Sequence, residues 1–341
     1  MADGFGRVSR KPGVCFATSG PGATNILTGL ATAQADSAPM IAVTGQVPVA
    51  MIGRDAFQES DIIGMANPVV KYAFQPRLPE EVPEAVKKGF YIAQTGRPGP
   101  VLLDIPKDVQ QNEAPMDFPD EFKIQGYHPW NDPDIASVEK AIDMLVNSEK
   151  PIILAGGGTI ISSAFAELQS IAETLMLPVV TTFKGKGAFP ENHPLSLGPI
   201  GMHGHAEANK MMTEADCVLA IGTRFSDRSV GTFEAFEKRL KIIHMDVDPA
   251  EIGKNQTTNI SVVGDVRASL RIMVKLLLQK SLKKSEDSVW IKHVRETKEY
   301  WKENLKIHPG EMGAAKILRK LRELLPKESV VTTEVGQHQM W

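Results

Sequence analysis

Short β-branched or apolar runs, each followed by turn residues and then by a stretch with helical periodicity, recur along almost the whole chain. This alternation restricts it to α/β folds built on parallel sheets. In the first third, residues 13–18 read as a strand, 22–35 as a helix, 40–45 as a strand, 80–95 as a helix and 100–105 as a strand. That order predicts a parallel sheet covered on both faces. Residues 106–133 carry Pro115, Pro119 and Pro129 with little periodicity and read as an extended interdomain linker.

A second α/β unit is expected to open with a helix over 133–147 and a buried strand over 151–155 that runs into Gly156-Gly157-Gly158. Helices over 162–175 and 204–213 alternate with strands over 178–182, 216–221, 241–247 and 260–263, which gives four or five βα units and a Rossmann-like sheet. Helices over 267–280, 288–306 and 312–325 then lead to a β-branched run, Val330-Val331-Thr332-Thr333-Glu334, that reads as a strand with nothing to pack on. At the other end, Met1 to Arg7 read as the tail of a helix without a polar cap, so the chain is expected to be an interior piece of a longer one.

Composition narrows the function classes. The chain has 341 residues, above the usual single-domain size, with 38 Lys+Arg against 41 Asp+Glu and a net charge of −3, which argues against a nucleic-acid partner. No apolar run of the length of a membrane span occurs, and the start lacks the basic and apolar regions of a signal peptide. Cys15 and Cys217 lie far apart in strand-like runs, which speaks against a disulfide framework or a cysteine zinc site.

Several motifs bear on chemistry. Thr18-Ser19-Gly20-Pro21-Gly22-Ala23-Thr24-Asn25 is a strand end, a glycine turn and a helix start, which suits backbone N–H approach to an anion or polar ring, although a tight βα turn requires glycine on steric grounds as well. Gly156-Gly157-Gly158 lacks the Gly-x-Gly-x-x-Gly spacing and the acid about 20 residues on, so a nicotinamide site is disfavoured. Arg224 and Arg228 follow a strand at the edge where ligands bind, where they suit a diphosphate clamp or an ion pair with Asp227 or Glu234. Asp246 and Asp248 end a strand where an acid meets a ribose hydroxyl or caps a helix. The eight histidines form no metal pattern, and neither a Gly-x-Ser-x-Gly elbow nor a P-loop is present.

Taken in order, these motifs resemble those of the thiamine-diphosphate enzymes, and among them the acetolactate (acetohydroxyacid) synthase family. The resemblance rests on Arg10-Lys11-Pro12-Gly13-Val14 through Asn25, then Gly45-Gln46-Val47-Pro48, Asp55-Ala56-Phe57-Gln58-Glu59, Gly96-Arg97-Pro98-Gly99-Pro100-Val101 and Ile105-Pro106-Lys107-Asp108-Val109-Gln110. It continues through Met202-His203-Gly204, Arg224-Phe225-Ser226-Asp227-Arg228, His244-Met245-Asp246-Val247-Asp248-Pro249 and Val335-Gly336-Gln337-His338-Gln339-Met340-Trp341.

The resemblance implies a fold and a division of labour. Residues 1–110 would be a partial pyrimidine-binding domain, 111–134 a linker, 135–305 a central Rossmann-like domain that binds FAD, and 306–341 the connection to a truncated pyrophosphate-binding domain. It implies decarboxylation of pyruvate and carboligation to pyruvate or 2-oxobutyrate in branched-chain amino-acid synthesis, with thiamine diphosphate, Mg2+ and FAD as cofactors. Phe57, Gln58 and Lys107 would line the substrate channel. Gln337 and His338 would hold the thiamine diphosphate. FAD contacts would come from Arg97, Gly156, Gly157, Gly158, Thr182, Phe183, Gly201, Met202, His203, Gly222, Arg224, Arg228, Asp246, Val247, Gly264 and Asp265. Phe183-Lys184 and Ser226 depart from the family pattern, which bears on the isoalloxazine contacts.

The family's catalytic glutamate would lie upstream of Met1 and its magnesium segment beyond Trp341, so no metal ligand is expected in this chain, and the chain alone is expected to be inactive. A homodimer or homotetramer, a small regulatory subunit and a cytoplasmic location are implied, with a transit peptide upstream left open. Glyoxylate carboligase, pyruvate oxidase, oxalyl-CoA decarboxylase and a non-catalytic nucleotide-binding relic are the alternatives.

Overall fold

In the computed structural model, which describes residues 1–115, 117–129, 132–230, 240–304, 313–333 and 336, two compact units succeed each other along the chain, Met1–Trp130 and Asn131–Trp341. The first is built from α1 (Ala2–Ser9), β1 (Gly13–Ala17), α2 (Pro21–Asn25), α3 (Leu27–Asp36), β2 (Met40–Gln46), α4 (Ile62–Ala66), β3 (Tyr72–Phe74), α5 (Val82–Gln94), β4 (Pro100–Pro106) and α6 (Lys107–Gln111). Its four strands are parallel in the order β1-β2-β4-β3. Side chains alternate across the sheet. Ala42 and Leu102 therefore pack with Leu30 and Ile62 on one face, and Ile41, Val101 and Leu103 pack with Ala85 and Ile92 of α5 on the other.

The expectation of full cover fails at β1. Val14 and Phe16 are 44% and 78% exposed, because β1 is an edge strand and nothing among the described residues lies on that face. The short β3 was not anticipated, since three residues leave no periodicity to read. Of the extended stretch expected over 106–133, residues 107–111 instead form α6, while 112–115 and 117–129 form neither helix nor strand; Tyr127 is anchored, its hydroxyl donating to the Thr95 carbonyl at 2.8 Å and accepting from Lys71 Nζ at 3.2 Å.

The second unit contains α7 (Ile135–Val146), β5 (Pro151–Ala155), α8 (Gly157–Ile161), α9 (Phe165–Leu175), β6 (Val179–Thr181), β7 (Ser196–Pro199), α10 (Ala206–Glu214), β8 (Cys217–Ile221), α11 (Asp227–Val230), β9 (Lys241–Asp246), β10 (Ile260–Val263), α12 (Val266–Gln279), α13 (Val289–Asn304) and α14 (Ala314–Leu324). Six parallel strands lie in the order β10-β9-β8-β5-β6-β7. Numbered from β5 and read from β7, that order is 3-2-1-4-5-6, in which the chain winds outward in both directions from the boundary between β5 and β8. One face packs Ile153, Leu219 and Ile243 against α7, α9 and α12, and the other packs Ile152, Leu154 and Val218 against α10 and α13. Trp290 pins α13 through its indole N–H to the Pro151 carbonyl at 3.0 Å.

Two expectations change here. Strand β7 was missed because Ser196-Leu197-Gly198-Pro199 is short and ends in a glycine-proline turn signal. Residues 330–333 form no strand, and Val330 and Val331 are exposed; a β-branched run becomes a strand only beside a hydrogen-bonding neighbour, and none is there among the described residues. No helix among the described residues is long and apolar enough to cross a membrane.

Candidate functional site

In a parallel sheet every strand ends at the same edge, so the loops that follow the strands gather there. At that edge of the first unit, β1 turns into α2 through Gly20, whose φ is +59°; a Cβ there would lie 2.7 Å from the Gln58 carbonyl oxygen, so the turn accepts only glycine. The loop leaving β2 thus comes back against the β1 turn and brings Gln58 to the glycine motif. Phe57 and Gln58 are both exposed there, Phe57 at 89%. Lys107 is also exposed, as the first residue of α6 directly after β4.

Carboxylates hold this loop. Glu59 accepts backbone N–H bonds from Gly53 and from Ala56, the latter at 2.9 Å, and the Gly53 bond is the chief reason its pKa lies below the ordinary glutamate value. Asp108 accepts from Val49 N–H at 3.1 Å. Asp104, fully buried in β4, accepts from Thr44 Oγ1 at 2.7 Å, Gln75 Nε2 at 2.8 Å and Gln46 Nε2 at 3.1 Å. Burial pushes its pKa up, and the three donors oppose that shift. Thr44, Gln75 and Asp104 escaped the sequence reading, and Gln46 entered it only as part of the motif Gly45-Gln46-Val47-Pro48. The one available signal was an acid inside the otherwise apolar run Pro100-Val101-Leu102-Leu103-Asp104-Ile105.

At the corresponding edge of the second unit, backbone packing takes the place of carboxylates. Gly156 N–H donates to the Ile221 carbonyl at 2.8 Å, Gly158 N–H to the Gly222 carbonyl at 3.0 Å and Gly222 N–H to the Met245 carbonyl at 2.8 Å. A Cβ on Gly222, where φ is +55°, would sit 2.5 Å from the Gly158 Cα. The triple glycine therefore has a steric reason of its own, since it lets the loops after β5 and β8 touch at the point where the strand order reverses. Thr182 caps the turn that presents Phe183, its hydroxyl accepting from Gly185 N–H at 3.0 Å. The Lys184 Cβ lies 3.2 Å from the position a Cβ would take on Gly157.

The same edge gathers the rest of the expected set. Gly201 exchanges bonds with the Asn209 amide at 2.9 and 3.0 Å, and Met202 N–H donates to the Arg228 carbonyl at 3.4 Å. Arg224, Arg228, Phe183, Met202 and His203 are exposed. Arg228 makes the ion pair foreseen with Asp227, but at 3.8 Å between well-exposed groups, which is a weak contact. Asp246 accepts from Asp248 N–H at 2.9 Å, Val247 follows it, and Gly264 N–H donates to the Asp246 carbonyl at 3.0 Å. Asp265 caps α12, accepting from Ala268 N–H at 2.9 Å.

Not every expected residue joins these edges. Arg97 belongs to the first unit, where its Nε donates to Ser37 Oγ at 2.9 Å. Gln337 and His338 lie outside the described residues. Among the described residues no group of three or more His, Cys, Asp or Glu side chains is placed to hold a metal ion.

Comparison with known proteins adds to the geometry. Residues 1–65 match the thiamine pyrophosphate enzyme N-terminal TPP binding domain, and residues 138–273 match the central domain of the same enzymes. The whole chain is 46% identical to a probable acetolactate synthase large subunit of Methanocaldococcus jannaschii, 44% to the acetolactate synthase large subunit of Parasynechococcus marenigrum and 40% to that of Corynebacterium glutamicum. It covers 59%, 55% and 54% of those proteins, so it spans between half and two thirds of the length of the curated relatives it matches.

Proposed function

A chain that carries the N-terminal and central domains of the thiamine pyrophosphate enzymes belongs to that family, and on that basis we propose that this one forms part of an acetolactate synthase large subunit. The proposed reaction decarboxylates pyruvate and joins the remaining two carbons to a second 2-oxo acid, pyruvate or 2-oxobutyrate. What carries the reading is 40–46% identity, running through both compact units, to proteins of that name in three organisms.

Thiamine diphosphate, when bound, supplies the electron sink for loss of carbon dioxide. This chain's own residues bind and orient. The Lys107 ammonium at the start of α6 is the cation for a 2-oxo acid carboxylate. Exposed Phe57 offers an apolar wall to the alkyl end of the substrate, and the Gln58 amide can both donate and accept beside it. Because the Glu59 carboxylate bonds the loop from within, the backbone that carries Phe57 and Gln58 is held before substrate arrives, which lowers the entropic cost of orientation. Gln337 and His338 complete the set as donors to the cofactor diphosphate.

FAD suits the carboxyl edge of the second sheet. In its favour are the reversal of strand order there, two exposed arginines, and a buried hydroxyl, Thr181 Oγ1 at the end of β6, that has no partner among the described residues. Arg224 and Arg228 would meet its diphosphate and Asp246 a ribose hydroxyl, with Phe183, Met202 and His203 around the ring. Magnesium ligands are assigned to no residue of this chain. A homodimer or homotetramer, joined by a small regulatory subunit, is the expected assembly, and the cytoplasm the expected compartment.

The test is product analysis on the complete protein that contains this chain. Acetolactate from pyruvate alone, and acetohydroxybutyrate when 2-oxobutyrate is added, are expected. Tartronate semialdehyde from glyoxylate, acetyl phosphate from pyruvate or formyl-CoA from oxalyl-CoA, without acetolactate, would replace this reading with another reaction of the same enzyme family.

A further inference from the structure

Asp104 is a fully buried carboxylate in a strand whose neighbours are Leu102, Leu103 and Ile105, a position where a leucine would pack without any desolvation cost. The contacts it makes run to polar side chains of β2 and of the residue after β3 rather than to the apolar cluster. Three side-chain donors converge on it, and one of them, Gln46, is the last residue of β2 and only 6% exposed. Nε2 of Gln46 carries two hydrogens; it donates to Asp104 Oδ2 at 3.1 Å and to the Ser60 carbonyl at 2.9 Å. Its Oε1 accepts from Val47 N–H at 2.9 Å. A single amide is therefore bonded to both ends of the 47–60 excursion, Val47 where the chain leaves β2 and Ser60 just before α4.

We propose that Gln46, oriented by the buried Asp104, is a positioning residue that fixes the 47–60 loop and thereby the placement of Phe57 and Gln58 toward substrate. The role rests on the proposed function, in which that loop lines the substrate channel. Bonds elsewhere in the loop complete the device. Asp108 holds Val49, Glu59 holds Gly53 and Ala56, and the Gln58 backbone lies on Gly20, while Gln46 ties entry to exit. Closing a loop at its base removes most of the conformations its tip can adopt. A displacement of about 1 Å at a substrate-orienting side chain is enough to cost a large factor in rate.

The test compares Gln46→Met, Gln75→Met and Phe57→Ala in the complete protein. Gln46→Met keeps the length and removes both tethers; Gln75→Met removes a donor to Asp104 and leaves the loop ends tied. For Gln46→Met the expected result is a rise of roughly tenfold in KM for pyruvate with a smaller change in kcat, and faster amide hydrogen exchange confined to residues 47–60. Gln75→Met is expected to lower Tm and leave KM where it was. Wild-type KM and exchange in Gln46→Met beside an impaired Phe57→Ala would overturn the positioning role alone. Wild-type kinetics in Phe57→Ala as well would remove the loop from the substrate channel, and the positioning role with it. Equal KM effects in Gln46→Met and Gln75→Met, with exchange rising throughout the unit, would reduce the cluster to core structure. Should Gln46→Met not fold, Gln46→Asn, which keeps the amide and shortens its reach, gives the same readings.

Discussion

The two sheets end in edges that solve one problem by different means. At the first, the loop after β2 is stitched mainly by side chains, Asp104 and Gln46 at the base, Asp108 beside Val49 and Glu59 within, with a single close backbone approach where Gln58 meets Gly20. At the second, loops are pressed together backbone to backbone, Gly156 and Gly158 against Gly222. Side-chain bonds can be lost one at a time and respond to pH, whereas a close backbone approach admits no added atom. The first edge should therefore fail in graded, local steps and the second in one large step.

Gly222→Ala is the strongest test of that difference. Its Cβ would fall 2.5 Å from the Gly158 Cα at a φ of +55°, so a loss of about 3 kcal/mol of stability is expected in urea unfolding. A loss under about 1 kcal/mol would mean that the loops after β5 and β8 can part cheaply, and the contrast between the edges would go.

The next effect concerns acid. His244 in β9 is buried, with Nε2–H donating to the Thr223 carbonyl at 2.8 Å, and burial holds its pKa below the ordinary 6.5. The unfolded chain therefore takes up the proton first, so this contribution to stability is complete above 6.5 and declines as pH falls from there through the depressed folded value. Unfolding free energies measured between pH 7.5 and 5.5 should decline, and the decline should shrink in His244→Phe; equal slopes in the two proteins would assign the acid sensitivity elsewhere.

At the first edge, Glu59 titrates in the same sense, but starting from a lower ordinary value. Its folded pKa is depressed, so the loop bonds are complete above the ordinary glutamate value of 4.5 and are lost as pH falls through the folded one. Glu59→Gln should leave Tm nearly unchanged and speed exchange at the Gly53 and Ala56 amides at neutral pH. A cooperative loss of the whole unit would show that the first edge is no more divisible than the second.

The smallest effect on stability is expected at the rim of the second edge. Arg228→Ala breaks only an exposed 3.8 Å pair and should change stability by less than about 0.5 kcal/mol. If Arg228 meets a flavin diphosphate, the purified complete protein should nevertheless carry less flavin absorbance. Unchanged flavin content would leave Arg228 as a surface residue.

How legible the molecule was differs between the same two edges. Gly20, Phe57, Gln58 and Lys107 could be singled out because each sits in a contiguous motif, and the β1 turn and α2 lie where that motif put them. The Asp104 cluster was not, because Thr44, Gln46, Gln75 and Asp104 become neighbours only when β2 and β3 both pair with β4 in register, Thr44 opposite Asp104, Gln46 opposite Pro106 and Phe74, just before Gln75, opposite Leu103. At the second edge the glycines stood out, but why they are glycines did not, since Gly158 and Gly222 lie 64 residues apart and meet through sheet order.

Local chemistry in the sequence decided which segments are strands and helices, that the strands run parallel, and that the loops following them gather at one edge. Apolar β-branched runs, glycine turns and amphipathic stretches are properties of neighbouring residues, and physics acts on them before any long-range contact forms. Strand order, the open face of β1, the fate of residues 330–333 and the partner of each buried polar atom came only with tertiary structure. Each depends on which distant segment supplies the missing hydrogen bond or the covering side chain, and a strand or a buried carboxylate without that partner is not stable.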